Sequence, residues 1–143
     1  MNKSIRIGGA SGFWGDSYRA TEQLIQDTTL DFIVYDYLAE ITMSIMARAR
    51  AKSPSAGYAT DFIDAVIKPY IKRISTHNTR LISNAGGVNP EKCAEVISEL
   101  VKDLQLNLKV SCITGDDLMS SAQEIKNMNC KEMFSDIKFP ELD

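Results

Sequence analysis

Ile5-Arg6-Ile7-Gly8-Gly9-Ala10-Ser11-Gly12-Phe13-Trp14-Gly15-Asp16-Ser17 decides how the rest of the chain is read. Ile5 to Ile7 has the character of a short apolar strand. Four glycines between positions 8 and 15 then predict a loop, because glycine tolerates backbone conformations that other residues resist. A helix is expected from about Asp16 to Gln26, with Ala20, Leu24 and Ile25 on one face. A glycine loop at a helix start offers free N–H groups to an anion. Gly9, Ser11, Gly12, Trp14, Gly15 and Asp16 are therefore candidate ligand-binding residues.

Outward from this loop, strand and helix alternate. Leu30 to Tyr35 is nearly all apolar, which suits a strand buried on both faces of a parallel sheet. A helix from about Tyr37 to Ala51 would turn Leu38, Ile41, Ile45 and Ala49 inward. After the Ser53-Pro54-Ser55-Ala56-Gly57 loop, a helix from about Thr60 to Ser75 carries Phe62, Ile63, Val66, Ile67, Tyr70, Ile71 and Ile74 on its apolar face. Pro69 should kink it, since proline donates no backbone hydrogen bond. Arg80 to Ser83 is the third expected strand. It leads into Asn84-Ala85-Gly86-Gly87-Val88-Asn89-Pro90, where Asn89 suits a helix cap and Pro90 the first helical position. The next helix turns Cys93, Ile97, Leu100, Val101 and Leu104 inward. Leu108 to Ile113 is the expected fourth strand, ending at Gly115-Asp116-Asp117. From Ser120 onward the pattern weakens, helical at first and irregular around Pro140.

This order predicts an α/β fold with three layers: a mainly parallel sheet with right-handed crossovers and helices on both faces, in Rossmann-like order. In such sheets the loops after the strands gather at the carboxyl edge, where ligands bind. Four loops should converge there: Gly8 to Asp16, Asp36 onward, Asn84 to Asn89, and Gly115 to Asp117. Asp36 and Glu40 share a helical face if Asp36 belongs to the first turn. With Asp116 and Asp117 they form a candidate catalytic set, since neighbouring carboxylates can work as acid and base or share a divalent cation. Asn84, Gly86, Gly87 and Asn89 are candidate ligand-binding residues, the glycines through backbone N–H groups and Asn84 through its side chain. For Asn89 the helix cap is the simpler role, and for Asp16 the helix dipole is the competing one.

Composition narrows the field. The chain has 143 residues, 44% of them apolar, enough for one packed domain. A net charge of −3 supplies no basic footprint for nucleic acid. No apolar run spans a bilayer, and no apolar leader follows Met1, so neither a membrane anchor nor a signal peptide is expected. Cys93, Cys112 and Cys130 are spaced too widely for a zinc knuckle. Reduced thiols in a cytoplasmic protein, with Cys93 and Cys112 on apolar positions, are the simplest expectation. His77 is the only histidine and sits before the third strand, away from the glycine loops, so no histidine-based triad or metal site is expected.

Two resemblances meet this pattern. The Gly9, Gly12, Gly15 spacing is similar to that of extended short-chain dehydrogenases. Asp36 would then be the ribose-binding acid of an NAD(P) site, although no Tyr-x-x-x-Lys is present. Five longer blocks resemble the acyclic terpene utilisation (AtuA-like) family instead: residues 5–17, Asp36 to Ser44, Gly57 to Phe62, Asn84 to Pro90, and Gly115 to Leu118. They occur in that family's order. The resemblance implies a cytoplasmic protein of acyclic isoprenoid breakdown, which proceeds through acyl-CoA intermediates. With the glycine loops and the carboxylate set, the expected ligand is a small anionic or coenzyme A-linked metabolite, and a divalent metal or a coenzyme A thioester is the cofactor candidate. The resemblance also implies that residues 1–119 form the N-terminal part of a longer family architecture, with 120–143 as an extension. A truncated, non-catalytic chain would need a homo-oligomer or another partner to complete its sheet.

Overall fold

A computed structural model describes residues 4–26 and 30–138. They fall into two compact units, Met1–Cys112 and Ile113–Asp143. The first unit is a mixed α/β structure. Its elements are β1 (Ile7–Ser11), α1 (Ala20–Gln26), β2 (Phe32–Tyr35), α2 (Glu40–Lys52), a π-helical segment (Phe62–Ile67), α3 (Lys68–His77), β3 (Arg80–Ser83) and α4 (Pro90–Asp103).

The three strands form an open parallel sheet in the order β1-β2-β3. Register sorts their side chains. Ile7, Phe32 and Arg80 pair across the sheet, as do Gly8, Ile33 and Leu81, so successive rows point to opposite faces. The Gly8–Ile33 face is covered by helices. A Cβ on Gly8 would stand 2.7 Å from Leu30 Cδ1 and 3.0 Å from Leu24 Cδ2, so a side chain there would have to push these leucine ends aside. Farther along this face, Tyr35 meets Phe62 edge to face at 5.3 Å between ring centres. The other face is barely covered: Ile7 is 64% and Ile82 53% exposed, and Phe32 and Val34 are half-buried. The expectation of a second strand buried on both sides therefore fails for Phe32 and Val34. β1 also carries an irregularity between Gly9 and Ser11 that leaves Ala10 without a partner in the register.

Several boundaries differ from the sequence expectation, each for a local reason. α1 begins at Ala20 rather than Asp16, because residues 12–19 form turns instead. α2 begins at Glu40 rather than Tyr37. The Ala39 N–H donates to Thr42 Oγ1 at 2.7 Å, and that hydroxyl donates back to the Ala39 carbonyl at 2.8 Å, which fixes the start. Asp36 thus lies outside the helix and shares no helical face with Glu40. The inward face of α2 is also rotated: Met46 is buried, whereas Ile41 and Ile45 are exposed. Around Pro69 the chain does not simply kink. It takes the wider π winding, with the Lys68 N–H donating to the Ile63 carbonyl, and α3 starts with proline in its first turn, where its missing N–H costs least. The apolar face expected here is buried or half-buried throughout.

Leu108 to Ile113 is not a strand. Leu106, Leu108 and Val110 pack on the core and alternate with exposed neighbours, as a strand would, but the segment joins no ladder. Cys112 is exposed, contrary to expectation, whereas Cys93 is buried. The second unit holds a 3-10 turn (Met119–Ser121), α5 (Ala122–Asn127) and an isolated antiparallel bridge between Lys131 and Lys138. The stretch around Pro140 lies outside the described residues. No helix of the described residues is long and apolar enough to cross a membrane.

Candidate functional site

The ends of β1 and β2 are tied to the turn after β3. Ser11 Oγ donates to the Asp36 carbonyl at 3.2 Å, and the Asp36 N–H donates to the Ser11 carbonyl at 3.3 Å. Asn84 bridges the next gap: its Oδ1 accepts from the Tyr37 N–H at 2.7 Å, and its Nδ2 donates to Asp36 Oδ1 at 2.8 Å. Three of the expected loops therefore meet at the carboxyl edge. The side chains of Ser11 and Asn84 hold that edge together, and the Asp36 carboxylate is oriented by Asn84.

The turn after β3 is zipped to the loop before the π-helical segment. The Ala59 N–H donates to the Ala85 carbonyl at 2.8 Å, and the Val88 N–H to the Gly57 carbonyl at 2.9 Å. Asn89 is the cap residue of α4, but its side chain makes no cap bond. Both Nδ2 hydrogens reach the facing loop instead, at the Pro54 carbonyl (2.9 Å) and the Ala56 carbonyl (2.8 Å). Gly86 and Gly87 serve close packing. A Cβ on Gly86 would lie 2.7 Å from Pro90 Cα, and one on Gly87 would lie 2.7 Å from the Gly57 oxygen and collide with Met46 Sδ. The Gly87 N–H is already spent on the Asn84 carbonyl at 3.1 Å. An anion nest at Gly87 is thus replaced by an internal turn.

The glycine loop is built differently. The Gly12 N–H donates to Asp16 Oδ2 at 2.9 Å, and the Asp16 N–H to the Phe13 carbonyl at 3.2 Å. Asp16 therefore clasps its own loop instead of facing a helix dipole. Gly9 and Gly15 have open space where a Cβ would stand. Trp14 Nε1 donates to Asp61 Oδ1 at 2.5 Å, which fastens the loop to the residue that precedes the π-helical segment.

Beside this loop lies a small, shallow pocket open to solvent, with room for about one water-sized group. Ser11 and Tyr35 come to it from the strand ends, Asp16 and Tyr18 from the loop region, and Tyr37 and Asp61 from the connections that follow. Three of the five sequence blocks, 5–17, 36–44 and 57–62, meet there. Sequence reasoning did not single out Asp61, Tyr18, Tyr35 or Tyr37. Asp61 and Tyr37 stand within quoted blocks, whereas Tyr35 looked like an ordinary strand residue. Burial pushes the Tyr35 phenol up to about 12, partly offset by its hydrogen bond with Thr21 Oγ1 at 3.0 Å. Burial, then the Asp61 charge, holds Tyr37 well above the usual tyrosine range.

Of the remaining candidates, Glu40 is exposed at the start of α2. Asp116 and Asp117 belong to the second unit, where Asp117 Oδ1 accepts from the Met119 N–H at 3.0 Å and starts the 3-10 turn. Among the described residues no group of three or more His, Cys, Asp and Glu side chains is placed to hold a metal ion.

Fold and site together define a mixed α/β protein with a pocket at the carboxyl edge of a parallel sheet. The chain belongs to the acyclic terpene utilisation family, matching its AtuA protein family over residues 5–141. Neither a curated protein nor a solved structure matches it.

Proposed function

We propose that this chain serves the breakdown of acyclic isoprenoids in the cytoplasm and binds a small metabolite, carried as an acyl-CoA-linked or other anionic derivative, at the carboxyl edge of its sheet. The observation that carries the reading is the small pocket beside the glycine loop, built where three blocks of the family pattern converge. One small group at the reactive end of the ligand would enter the pocket, and its anionic part would remain outside, near the open glycine loop. Asp36 and Glu40 are the proposed acid–base groups near the strand ends, and Asp61 joins them. Asp116 and Asp117 are carried in the proposal on their place in the sequence.

The same reading takes the domain as three-layered and Rossmann-like. The exposed apolar face around Ile7 and Ile82 supports it, since a second helical layer, from a partner or a second copy, would bury these side chains. A thermal melt of the chain with NAD, NADP, coenzyme A, a citronellyl thioester and Mg²⁺ or Mn²⁺ tests the function. A ligand that binds only the folded state raises the melting point. A shift with the thioester and none with dinucleotides is expected; a shift with NAD alone overturns the reading.

A further inference from the structure

The open face of the sheet has a charge pattern along its strands. The row Ile7–Phe32–Arg80 stands at the amino end, and Val34 and Ile82 follow in the next row. Ile7 is 64% and Ile82 53% exposed. The Arg80 guanidinium lies over the Phe32 ring, 5.5 Å from its centre, so a cation borders the apolar centre at this end. The alternation continues past β2: Tyr35 and Tyr37 are buried and Asp36 is exposed, which puts a carboxylate at the carboxyl end of the same face. Parallel sheets are normally covered on both faces.

The outer side of α2 is the second apolar surface. Ile41 is 74% and Ile45 48% exposed, and residues four apart share one side of a helix. Glu40 precedes them and Arg48 follows, both exposed. The stripe therefore reads acid, apolar, apolar, base along the helix, and the face reads base, apolar, apolar, acid along the strands. The lengths agree. Glu40 to Arg48 spans about 12 Å of helix, and the Arg80 row lies about 13 Å from Asp36 along the sheet. Ile41 and Ile45 stand about 6 Å apart along the helix axis, close to the spacing of about 7 Å between the two apolar rows.

We propose that α2 of a second copy lies across the open sheet face, parallel to the strands, with Ile41 and Ile45 over Phe32, Val34 and Ile82. Glu40 then meets Arg80, and Arg48 meets Asp36. A reversed helix would set like charges against each other at both ends, which works against association. The missing helical layer is thus supplied by another copy of this chain. The inference rests on the layered reading of the fold above and leaves the ligand to its own melt. The contact is heterologous, since helix and face are different surfaces and every copy carries one of each. One helix on a three-stranded sheet is a small interface, so assembly depends on concentration.

The test is sedimentation velocity of the full chain from micromolar to near-millimolar concentration. The average mass should rise with concentration. Ile82→Asp blocks the face and Ile45→Asp blocks the helix. Both positions are exposed, so each variant should keep the circular dichroism of the parent and stay monomeric. Mixed in equal amounts, the two should form a heterodimer, because the first keeps its helix and the second its face. Arg80→Glu should weaken association about tenfold, and Glu40→Arg added to it should restore the affinity. Should an aspartate variant lose its dichroism, this charge swap, which leaves the apolar centre intact, decides alone. A parent that is monomeric throughout, a mixture that stays monomeric, or a charge swap without rescue overturns the proposal. If Ile82→Asp disperses the assembly and Ile45→Asp does not, the inference fails and the layered reading stands with another element as the cover. If Ile82→Asp changes nothing at the highest concentration, the face stays open, and the inference and a second-copy layer fall together.

Discussion

Replacing Gly87 by alanine separates packing from ligand binding at the turn after β3. Gly87 has a φ of +55°, and an added Cβ would lie 2.7 Å from the Gly57 oxygen and collide with Met46 Sδ. The left-handed backbone alone costs alanine about 1–2 kcal/mol. The collision adds overpacking of roughly 1–3 kcal/mol, because Met46 is buried and the Gly57 oxygen is held by the Val88 N–H. Together these make about 2–5 kcal/mol, which lowers the melting point by roughly 10 °C in a chain of this size. Gly9→Ala is the control. Nothing lies within 4 Å of its added Cβ, and its φ is not positive, so stability should change by no more than about 0.5 kcal/mol. Urea denaturation of both variants, followed by circular dichroism, measures the difference. A Gly87→Ala protein within about 1 kcal/mol of the parent, or a Gly9→Ala protein equally damaged, would refute the assignment of Gly87 to loop packing.

Other outcomes follow from the same geometry. Asp61→Ala removes the acceptor of the Trp14 indole, so emission from the single tryptophan should shift to the red and acrylamide quenching should rise; unchanged quenching would contradict the fastening of the glycine loop. Asn84→Ala breaks two hydrogen bonds that join β2 to the turn after β3 and should cost about 1–3 kcal/mol in urea denaturation. Tyr35 has its pKa raised from 10.0 to about 12 on folding, so the folded state holds its proton more tightly. Its contribution is fully present below pH 10 and is lost as pH rises through about 12, up to roughly 3 kcal/mol, and Tyr35→Phe should flatten this alkaline limb in part, since Tyr37 shifts in the same direction. Burial pushes the Cys93 thiol up to about 11, so iodoacetamide should label Cys112 and Cys130 in the native protein and leave Cys93 for the unfolded one, as mass spectrometry of the peptides will show.

The parts of the fold that local chemistry controls were legible. Arg80 to Ser83 is a strand with the expected bounds, and α4 starts at Pro90, because a four-residue strand and an Asn-Pro helix start are written in neighbouring residues. The apolar face from Phe62 to Ile74 was readable even though its winding was not. Periodicity reports which side chains are inward, but a π turn differs from an α turn by too little to show in it. The face of α2 was misread because Ile41 and Ile45 outrank Met46 in hydrophobicity, while the position of Met46 against Gly87 is a tertiary fact. Leu108 to Ile113 has the alternation of a strand, but pairing needs a partner edge, which no local pattern supplies. At the site, Asn84 and Asn89 were noticed for their polar side chains, and the structure spends both on neighbouring loops. Asp61 and Tyr37 were passed over because an aspartate at a helix start and a tyrosine after a strand have ordinary structural uses. Only their convergence on one pocket distinguishes them.

The most direct measurement is hydrogen–deuterium exchange on the intact chain, with and without citronellyl thioester. If the pocket beside the glycine loop is the ligand site, protection gained on binding should concentrate in peptides covering residues 10–18, 35–37 and 59–66, and Asp61→Ala should abolish it. Protection that falls elsewhere, or none at a thioester concentration that shifts the thermal melt, would contradict the placement of the site at the carboxyl edge of the sheet.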